Sequence, residues 1–127
     1  MNGILNEYSP LALAFVGDAH YNLTVKKKAA EKHVKINDMQ NYAADYCSAR
    51  RQAQISRYLT ENGILSEEEL EIFKKGRNAK GHGAPKNTDA VTYRISTGFE
   101  ALWGYWYLTG RQQRLEQIWD LIETIED

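Results

Sequence analysis

Cysteine is nearly absent from this sequence, since Cys47 is the only one among 127 residues. No disulfide can form within the chain, and a reducing compartment such as the cytoplasm is therefore expected. The sequence also lacks an apolar run of the roughly 20 residues that a membrane span needs. Glu7 and Asp18 interrupt the only early apolar stretch, so we expect neither a signal peptide nor a membrane anchor.

Net charge is also small, at −1, which argues against a protein that coats nucleic acid through bulk electrostatics. The charges are nevertheless unevenly distributed along the chain. Basic residues collect at Lys26–Lys28 and between Lys74 and Lys86, whereas acidic residues collect at Glu67–Glu69 and from Glu116 onward. The Lys26–Lys28 triplet alone is more typical of a solvated helix end. The longer basic stretch suits a site-specific contact with a polyanion.

No segment shows the sustained alternation of polar and apolar residues that marks a half-buried strand. Apolar residues instead recur at helical spacing through most of the chain, and there are no internal repeats. A length of 127 residues fits one domain. The expected fold class is therefore all-α, an irregular helical bundle forming a single domain over residues 1–127.

Capping signals place the ends of the predicted helices. Ser9 followed by Pro10 begins a helix toward Lys28 that is apolar on nearly every side, so we expect it to lie centrally in the fold. Gly and Pro residues predict a loop over 77–87. The other predicted helices run from Asn37 to Asn62, from Ser66 to Gly76, from Thr88–Asp89 to Leu108, and over a last amphipathic segment near Leu115–Ile125.

Two glycines interrupt the long apolar helix that ends at Leu108. Gly98 and Gly104 each cost about 1 kcal/mol of helix stability relative to alanine. The usual justification for such a cost is that a neighbouring backbone approaches closely at that position.

Two carboxylates lie at unexpected places in the predicted helices. Asp18 falls in the middle of the first apolar helix, and Glu100 lies between Phe99 and Ala101 in another. A buried carboxylate must be neutralised, paired or bound to a cation. One interpretation is a structural ion pair with Lys80, Arg77 or Arg94. The other is that the two acids face one cleft and bind Mg²⁺, which prefers such hard oxygen ligands.

Longer motifs surround both acids. The segment Phe15–Ala19 reads Phe-Val-Gly-Asp-Ala, and Phe99–Gly104 reads Phe-Glu-Ala-Leu-Trp-Gly. In type, order and separation these segments resemble the two acidic motifs of the ribonuclease III family. Segments 10–14, 76–80, 85–89 and 107–110 resemble Mini-ribonuclease III, the compact bacterial branch that lacks a double-stranded-RNA-binding domain. The resemblance extends over essentially the whole chain.

The resemblance implies a ribonuclease III-like endonuclease domain that acts as a homodimer and cleaves double-stranded RNA with Mg²⁺. Asp18 and Glu100 match the family's catalytic metal ligands, with one or two ions per site, and Mn²⁺ is expected to substitute. The implied substrate is precursor ribosomal RNA (23S), and assistance by a ribosomal protein is left open. A non-catalytic module on the same fold, binding double-stranded RNA or assisting ribosome assembly, is the alternative.

The chain departs from the full-length enzymes of this family near both acids. Those enzymes carry further acidic residues at the positions of Leu11, Ala14 and Thr97. A site with two protein carboxylates per subunit is expected to need an RNA phosphate to complete the metal's coordination. Thr97 and Asn22 are expected to support the two ligands.

The segment 74–87 is the predicted RNA-binding surface. Its cations can contact phosphates, its amides can reach 2′-hydroxyl groups, and its glycines permit close approach, which suits the recognition of double-stranded RNA. The alternative is a surface loop that only confers solubility, and His82 is expected to be a spectator. The predicted RNA-binding residues are Arg77, Asn78, Lys80, Lys86 and Asn87.

Overall fold

The computed structural model describes residues 3–81 and 88–126, and within these ranges the chain is helical with no strand. The predicted all-α fold class is confirmed. In the described residues the helices are α1 (Ile4–Glu7), α2 (Pro10–Lys32), α3 (Ile36–Tyr46), α4 (Ala49–Glu61), α5 (Glu67–Asn78), α6 (Ala90–Leu108) and α7 (Gln112–Thr124).

Side chains cap three of these helices where the sequence predicted. The hydroxyl of Ser9 accepts a hydrogen bond from the backbone N–H of Ala12 at 3.1 Å. Ser66 and Glu69 form a reciprocal capping box at the start of α5, and Asp89 caps α6. These caps satisfy N–H groups that the first turn of a helix leaves free, so short-range chemistry fixes these helix starts.

Two of the predicted helices have wrong bounds. The single helix expected from Asn37 to Asn62 is broken at Ser48, whose hydroxyl accepts from the N–H of Arg51 at 3.1 Å and so begins α4. The first of the two helices begins at Ile36, and no side chain caps it. Helix α5 continues past Gly76 to Asn78 because Gly76 keeps a helical conformation, packed against Ala101.

Helix α6 lies at the centre of the bundle and contacts α2, α4, α5 and α7. Phe99 and Trp103 are fully buried, and each packs against the edge of Tyr21 with ring centroids 5.1 and 5.0 Å apart. Trp106 is also fully buried, and Tyr107 stacks on His20 at 4.1 Å. Trp103, Tyr105 and Trp106 near the end of α6 therefore build the core, whereas Tyr107 is exposed.

Helix α2 is only partly central, which corrects the expectation from its apolar sequence. One face packs on α6 and buries Leu13, Tyr21 and Val25. Elsewhere on its surface, α2 exposes Phe15 to 81% and Leu23 to 56% of their full areas, on two different sides of the helix. An apolar face that the fold leaves uncovered invites a further contact.

Glycines allow the two longest helices to touch. A β-carbon at Gly17 would overlap the carbonyl oxygen of Glu100 and lie 2.7 Å from the backbone nitrogen of Gly104. A β-carbon at Gly104 would overlap the carbonyl oxygen of Leu13. Gly98 approaches the backbone of Phe73 in α5 in the same way. The expectation that a neighbouring backbone approaches closely at Gly98 and Gly104 is thus confirmed.

A buried carboxylate joins α5, α6 and α7. The carboxylate of Glu69 is 4% exposed and accepts two hydrogen bonds from Arg114, at 2.7 and 2.8 Å. The indole N–H of Trp106 and the backbone N–H of Ser66 donate to it at 2.7 and 2.9 Å. Burial alone would raise the pKa of Glu69, but these donors outweigh it and hold the pKa below its ordinary value.

We expect Glu69→Gln to lower the free energy of unfolding by about 2 kcal/mol at neutral pH, because Arg114 loses its paired charge. A carboxylate whose pKa is depressed on folding contributes stability above its unfolded pKa, and loses it as pH falls through the folded value. The difference between variant and wild type should therefore shrink as pH falls below the ordinary value of 4.5. Thermal melts measured across this range test both statements.

The exposed Glu71, on the same helix, provides the control. Glu71→Gln should leave the melting temperature nearly unchanged at every pH. An equal loss of stability in both variants, or a Glu69→Gln difference that grows in acid, would contradict the assigned role of Glu69.

Candidate active site

The contact between α2 and α6 brings Asp18 and Glu100 together. Asp18 follows Gly17, and the backbone of Gly17 lies against the carbonyl group of Glu100. The carboxyl groups of Asp18 and Glu100 lie within hydrogen-bonding reach of each other. Two acids that are 82 positions apart in the sequence thus form one site.

The surroundings of the two acids differ from what the sequence suggested. Asp18 is exposed rather than buried, because it lies on the side of α2 that borders an open cleft. The side-chain amide of Asn22 donates to Asp18 Oδ1 at 3.0 Å and to the Asp18 carbonyl oxygen at 2.7 Å. Asn22, predicted as a supporting residue, therefore orients Asp18.

Glu100 is partly buried, and its pKa is raised to about 8. Burial is the main cause, followed by the hydrogen bond and the charge of Asp18. The side-chain amide of the buried Gln52 favours the charged form of Glu100. Among the described residues, however, Gln52 Nε2 completes no hydrogen bond of good geometry. Glu100 thus lacks full compensation for its charge.

No described basic residue lies within ion-pair distance of either acid. This finding contradicts the structural ion pair with Lys80, Arg77 or Arg94, whose guanidinium or ammonium groups line the same cleft without reaching the carboxylates. Two adjacent carboxylates without a cation repel each other. A divalent cation bound between them would remove that repulsion, so the oxygen donors present fit Mg²⁺.

The cleft has a volume of about 780 Å³ and lies between α2, α5 and α6. Leu11, Ala14 and Thr97 all line it. These are the positions at which, by the resemblance, longer enzymes carry further acids. Within the described part of the chain, no group of three or more His, Cys, Asp or Glu side chains is arranged to hold a metal ion. The acidic site therefore consists of two carboxylates.

Three of the predicted RNA-binding residues lie in this cleft, namely Arg77, Asn78 and Lys80. Arg77 donates from Nε to Asn78 Oδ1 at 3.1 Å, and its guanidinium lies 5.8 Å from the Phe73 ring centre. The first two residues belong to the end of α5 rather than to a loop, because the helix runs on past Gly76. The predicted residues Lys86 and Asn87, and the presumed spectator His82, lie outside the described residues.

Thr97 lines the cleft one turn before Glu100. Its hydroxyl donates to the carbonyl oxygen of Tyr93 at 3.0 Å, so it presents only an acceptor oxygen to the cleft. Tyr93 and Arg94 also line the cleft, although the sequence pointed to Arg94 only as an ion-pair partner and gave no role to Tyr93. Helical spacing from Arg94 through Thr97 to Glu100 could have placed them on one face. No pattern in the sequence around either residue indicates that Gln52 lies close to Glu100.

The ribonuclease III domain family matches residues 11–111 of this chain. The chain belongs to the ribonuclease III family. It is 46% identical over 110 residues to Mini-ribonuclease 3 of Symbiobacterium thermophilum, covering 86% of this chain and 83% of that protein. It is 42% identical to Mini-ribonuclease 3 of Streptococcus pneumoniae, covering 90% of each chain.

A solved structure agrees with this assignment. The crystal structure of a protein from Fusobacterium nucleatum superposes with a TM-score of 0.82 at 27% identity, over 91% of this chain and 93% of that one. The ribonuclease III fold and the Mini-ribonuclease III resemblance are thus confirmed, and the chain is an endoribonuclease. Among the described residues, no helix is both long and apolar enough to cross a membrane.

The close contact at Gly17 is expected to matter for both the stability and the activity of this ribonuclease III-family chain. We expect Gly17→Ala to lower the free energy of unfolding by about 3 kcal/mol, because the methyl group would meet backbone atoms of α6 that cannot rotate away. We expect cleavage to fall more than the folded fraction does, since the helices must separate and carry Asp18 away from Glu100. Thermal unfolding and RNA cleavage by the same preparation provide the measurements.

Gly3→Ala is the matched control, because a β-carbon at Gly3 would meet nothing within 4 Å. This control should keep both stability and cleavage. A Gly17→Ala protein with wild-type stability and activity would show that the α2–α6 contact does not position the site.

Proposed function

We propose that this ribonuclease III-family chain is a single catalytic domain that cleaves double-stranded RNA with Mg²⁺, and that Asp18 and Glu100 are its catalytic residues. The observation that carries the proposal is the pair of adjacent carboxylates without a neutralising cation, in a cleft that basic side chains border. The names of the relatives support ribonuclease activity, and the two matching motifs support the choice of residues.

Asp18 and Glu100 would hold one or two Mg²⁺ ions, and Mn²⁺ is expected to substitute. When bound, such an ion supplies a Lewis acid and an activated water for phosphodiester hydrolysis. The role of the protein is to fix the two carboxylates, through the Asn22 hydrogen bonds to Asp18 and the helix contact beneath Glu100. With two protein ligands, an RNA phosphate is expected to complete the site.

The basic side of the cleft would bind the RNA backbone. Arg77 and Arg94 can form paired hydrogen bonds with phosphate oxygens, and Lys80 adds a point charge. The Asn78 side chain can reach a 2′-hydroxyl group, which distinguishes RNA from DNA. Lys86 and Asn87 belong to the same proposal on the grounds of sequence alone.

An exposed apolar ridge next to the site supports a homodimer. Phe15 is 81% exposed and Leu11 is 38% exposed, one turn apart on α2 and directly before Asp18. Leaving a phenylalanine in water forgoes about 2 kcal/mol of burial energy. We propose that a second copy of the chain covers this ridge, so that each subunit cleaves one strand.

The substrate proposed from the family resemblance is precursor ribosomal RNA (23S), in the cytoplasm, with or without the help of a ribosomal protein. A single cysteine agrees with a reducing compartment. The alternative of a non-catalytic RNA-binding module has no specific support in the site, since a binding surface needs no adjacent carboxylates.

The central experiment incubates the purified protein with an RNA duplex in Mg²⁺ and in chelator. We expect cleavage only with the metal, and we expect Asp18→Asn to reduce it by at least about a thousandfold, because one of two ligands is lost. Duplex binding by Asp18→Asn, measured by fluorescence anisotropy, should persist. Cleavage products are read on a denaturing gel.

Asp38→Asn, at an exposed position in the first turn of α3, is the control and should cleave normally. Cleavage in the presence of chelator, or full activity of Asp18→Asn, would refute the proposed site. Cleavage of single-stranded RNA in preference to the duplex would refute the proposed substrate class.

For the dimer, we expect Phe15→Asp to convert a dimeric protein into a folded monomer, because a charge would be buried at the interface. Sedimentation velocity measures the state directly, and circular dichroism reports folding. Leu23→Asp is the control, since Leu23 is an exposed apolar residue that lies on another face of α2, beside α7. A monomeric wild type, or a dimer that only Leu23→Asp disrupts, would rule out this interface.

A further inference from the structure

A second groove lies next to the candidate active site, between α4, α5 and α6, with a volume of about 550 Å³. Among the described residues, four basic side chains border it and no acidic one does. Its floor is apolar and includes Phe73 and Ile95. The four basic residues are Arg57 of α4, Lys74 and Arg77 of α5, and Arg94 of α6.

The ion pairs of the described residues divide the arginines into two groups. Four of them lie within ion-pair distance of an acid: Arg50 and Arg51 near Asp45, Arg111 near Glu68, and Arg114 near Glu69. The other three have no such acid among the described residues, and all three line the groove: Arg57, Arg77 and Arg94.

Such a concentration of unpaired positive charge is unusual in a chain with a net charge of −1. Like charges from three different helices repel each other, so an anion bound between them is stabilised. The arginine guanidinium also matches a phosphate group by paired hydrogen bonds. The groove is therefore built for a phosphate-bearing ligand.

The groove is continuous with the cleft that holds Asp18 and Glu100. Three residues line both depressions: Arg77, Asn78 and Arg94. A polyanion whose phosphate lies at the carboxylates can therefore extend past these shared residues toward Arg57 and Lys74. The larger depression along α5 is different, since its three acids, Glu67, Glu68 and Glu71, outnumber its two cations, Lys74 and Lys75, and would disfavour RNA.

We propose that this groove, and Arg57 and Lys74 in particular, binds RNA phosphates away from the scissile bond. The proposal rests on the proposed function and extends its RNA surface from the cleft onto α4. Thr60 adds a hydroxyl oxygen at the rim, since its proton is donated to helix carbonyl groups and the oxygen can accept from a 2′-hydroxyl group. The apolar floor suits contact with ribose.

An acidic protein segment would also be attracted to these cations. Continuity with the cleft favours RNA, because one strand can then occupy both depressions at once. The experiment uses a duplex and a polyglutamate peptide as separate probes, so that the two ligands are distinguished.

The test measures duplex affinity by fluorescence anisotropy at several KCl concentrations, in an Asp18→Asn background so that the RNA stays intact. We expect Arg57→Ala and Lys74→Ala each to weaken binding by roughly three- to tenfold at low salt. Each should also reduce the slope of log affinity against log salt by about 1, and the double variant by about 2.

Lys75→Ala is the matched control, because Lys75 follows Lys74 on α5 and borders the acidic depression but not the groove, whereas Lys74 borders both. It should retain both affinity and slope. Arg57 and Lys74 are exposed, so the variants are expected to fold, which circular dichroism checks.

Unchanged affinity and slope in both groove variants would overturn the proposal. So would an equal loss in Lys75→Ala, which would indicate bulk electrostatics. A loss of polyglutamate binding with unchanged duplex binding would overturn it in favour of a protein partner. Metal-dependent duplex cleavage by the wild-type chain is measured in parallel. A groove that does not bind RNA is then distinguishable from a chain that does not cleave RNA.

Discussion

The site depends on one close contact, in which Gly17 of α2 and Gly104 of α6 let the two helix backbones touch. Any side chain at either position would overlap a carbonyl oxygen of the facing helix. The contact fixes both the separation and the rotation of the helices, because closely packed backbone atoms leave little room to slide. Asp18 and Glu100 lie beside this contact, so the geometry of the acids follows from the packing of the glycines.

The adjacency of Asp18 and Glu100 has an electrostatic cost that the buried carboxylate of Glu69 avoids. Glu69 is buried, yet Arg114, Trp106 and Ser66 all donate to it and lower its pKa. Glu100 has Asp18 as its neighbour, and its pKa is raised to about 8. The same fold thus stabilises one carboxylate and leaves another uncompensated. With a pKa of about 8, Glu100 holds a proton at neutral pH, and a divalent cation that binds beside Asp18 would displace this proton and neutralise both carboxylates.

Features that depend on residues close together in the sequence were predictable, whereas features that depend on tertiary contacts were not. The capping box of Ser66 and Glu69 and the cap at Asp89 depend on residues three apart, and both were predicted from the sequence. The break at Ser48 was missed because its hydroxyl competes with a helix that the apolar pattern would have continued. The exposure of Asp18 was also missed, since a sequence does not show which part of an apolar helix the fold leaves uncovered.

The site itself was predictable only in part, and for a related reason. The motifs around Asp18 and Glu100 identify the acids, but the contact that joins them and the position of Gln52 arise from tertiary packing.

The distribution of charge shows the same dependence on tertiary structure. Arg57 lies in α4, six residues after Arg51 and well before the basic stretch that begins at Lys74, so nothing in the sequence connects it to Arg94 of α6. Folding places both beside Arg77 and directs the acids Asp45, Glu68 and Glu69 to the other arginines. A net charge of −1 therefore conceals a local positive field. Because such a field acts within about 10 Å in ordinary salt, its position next to the carboxylates matters more for binding a polyanion than the total charge does.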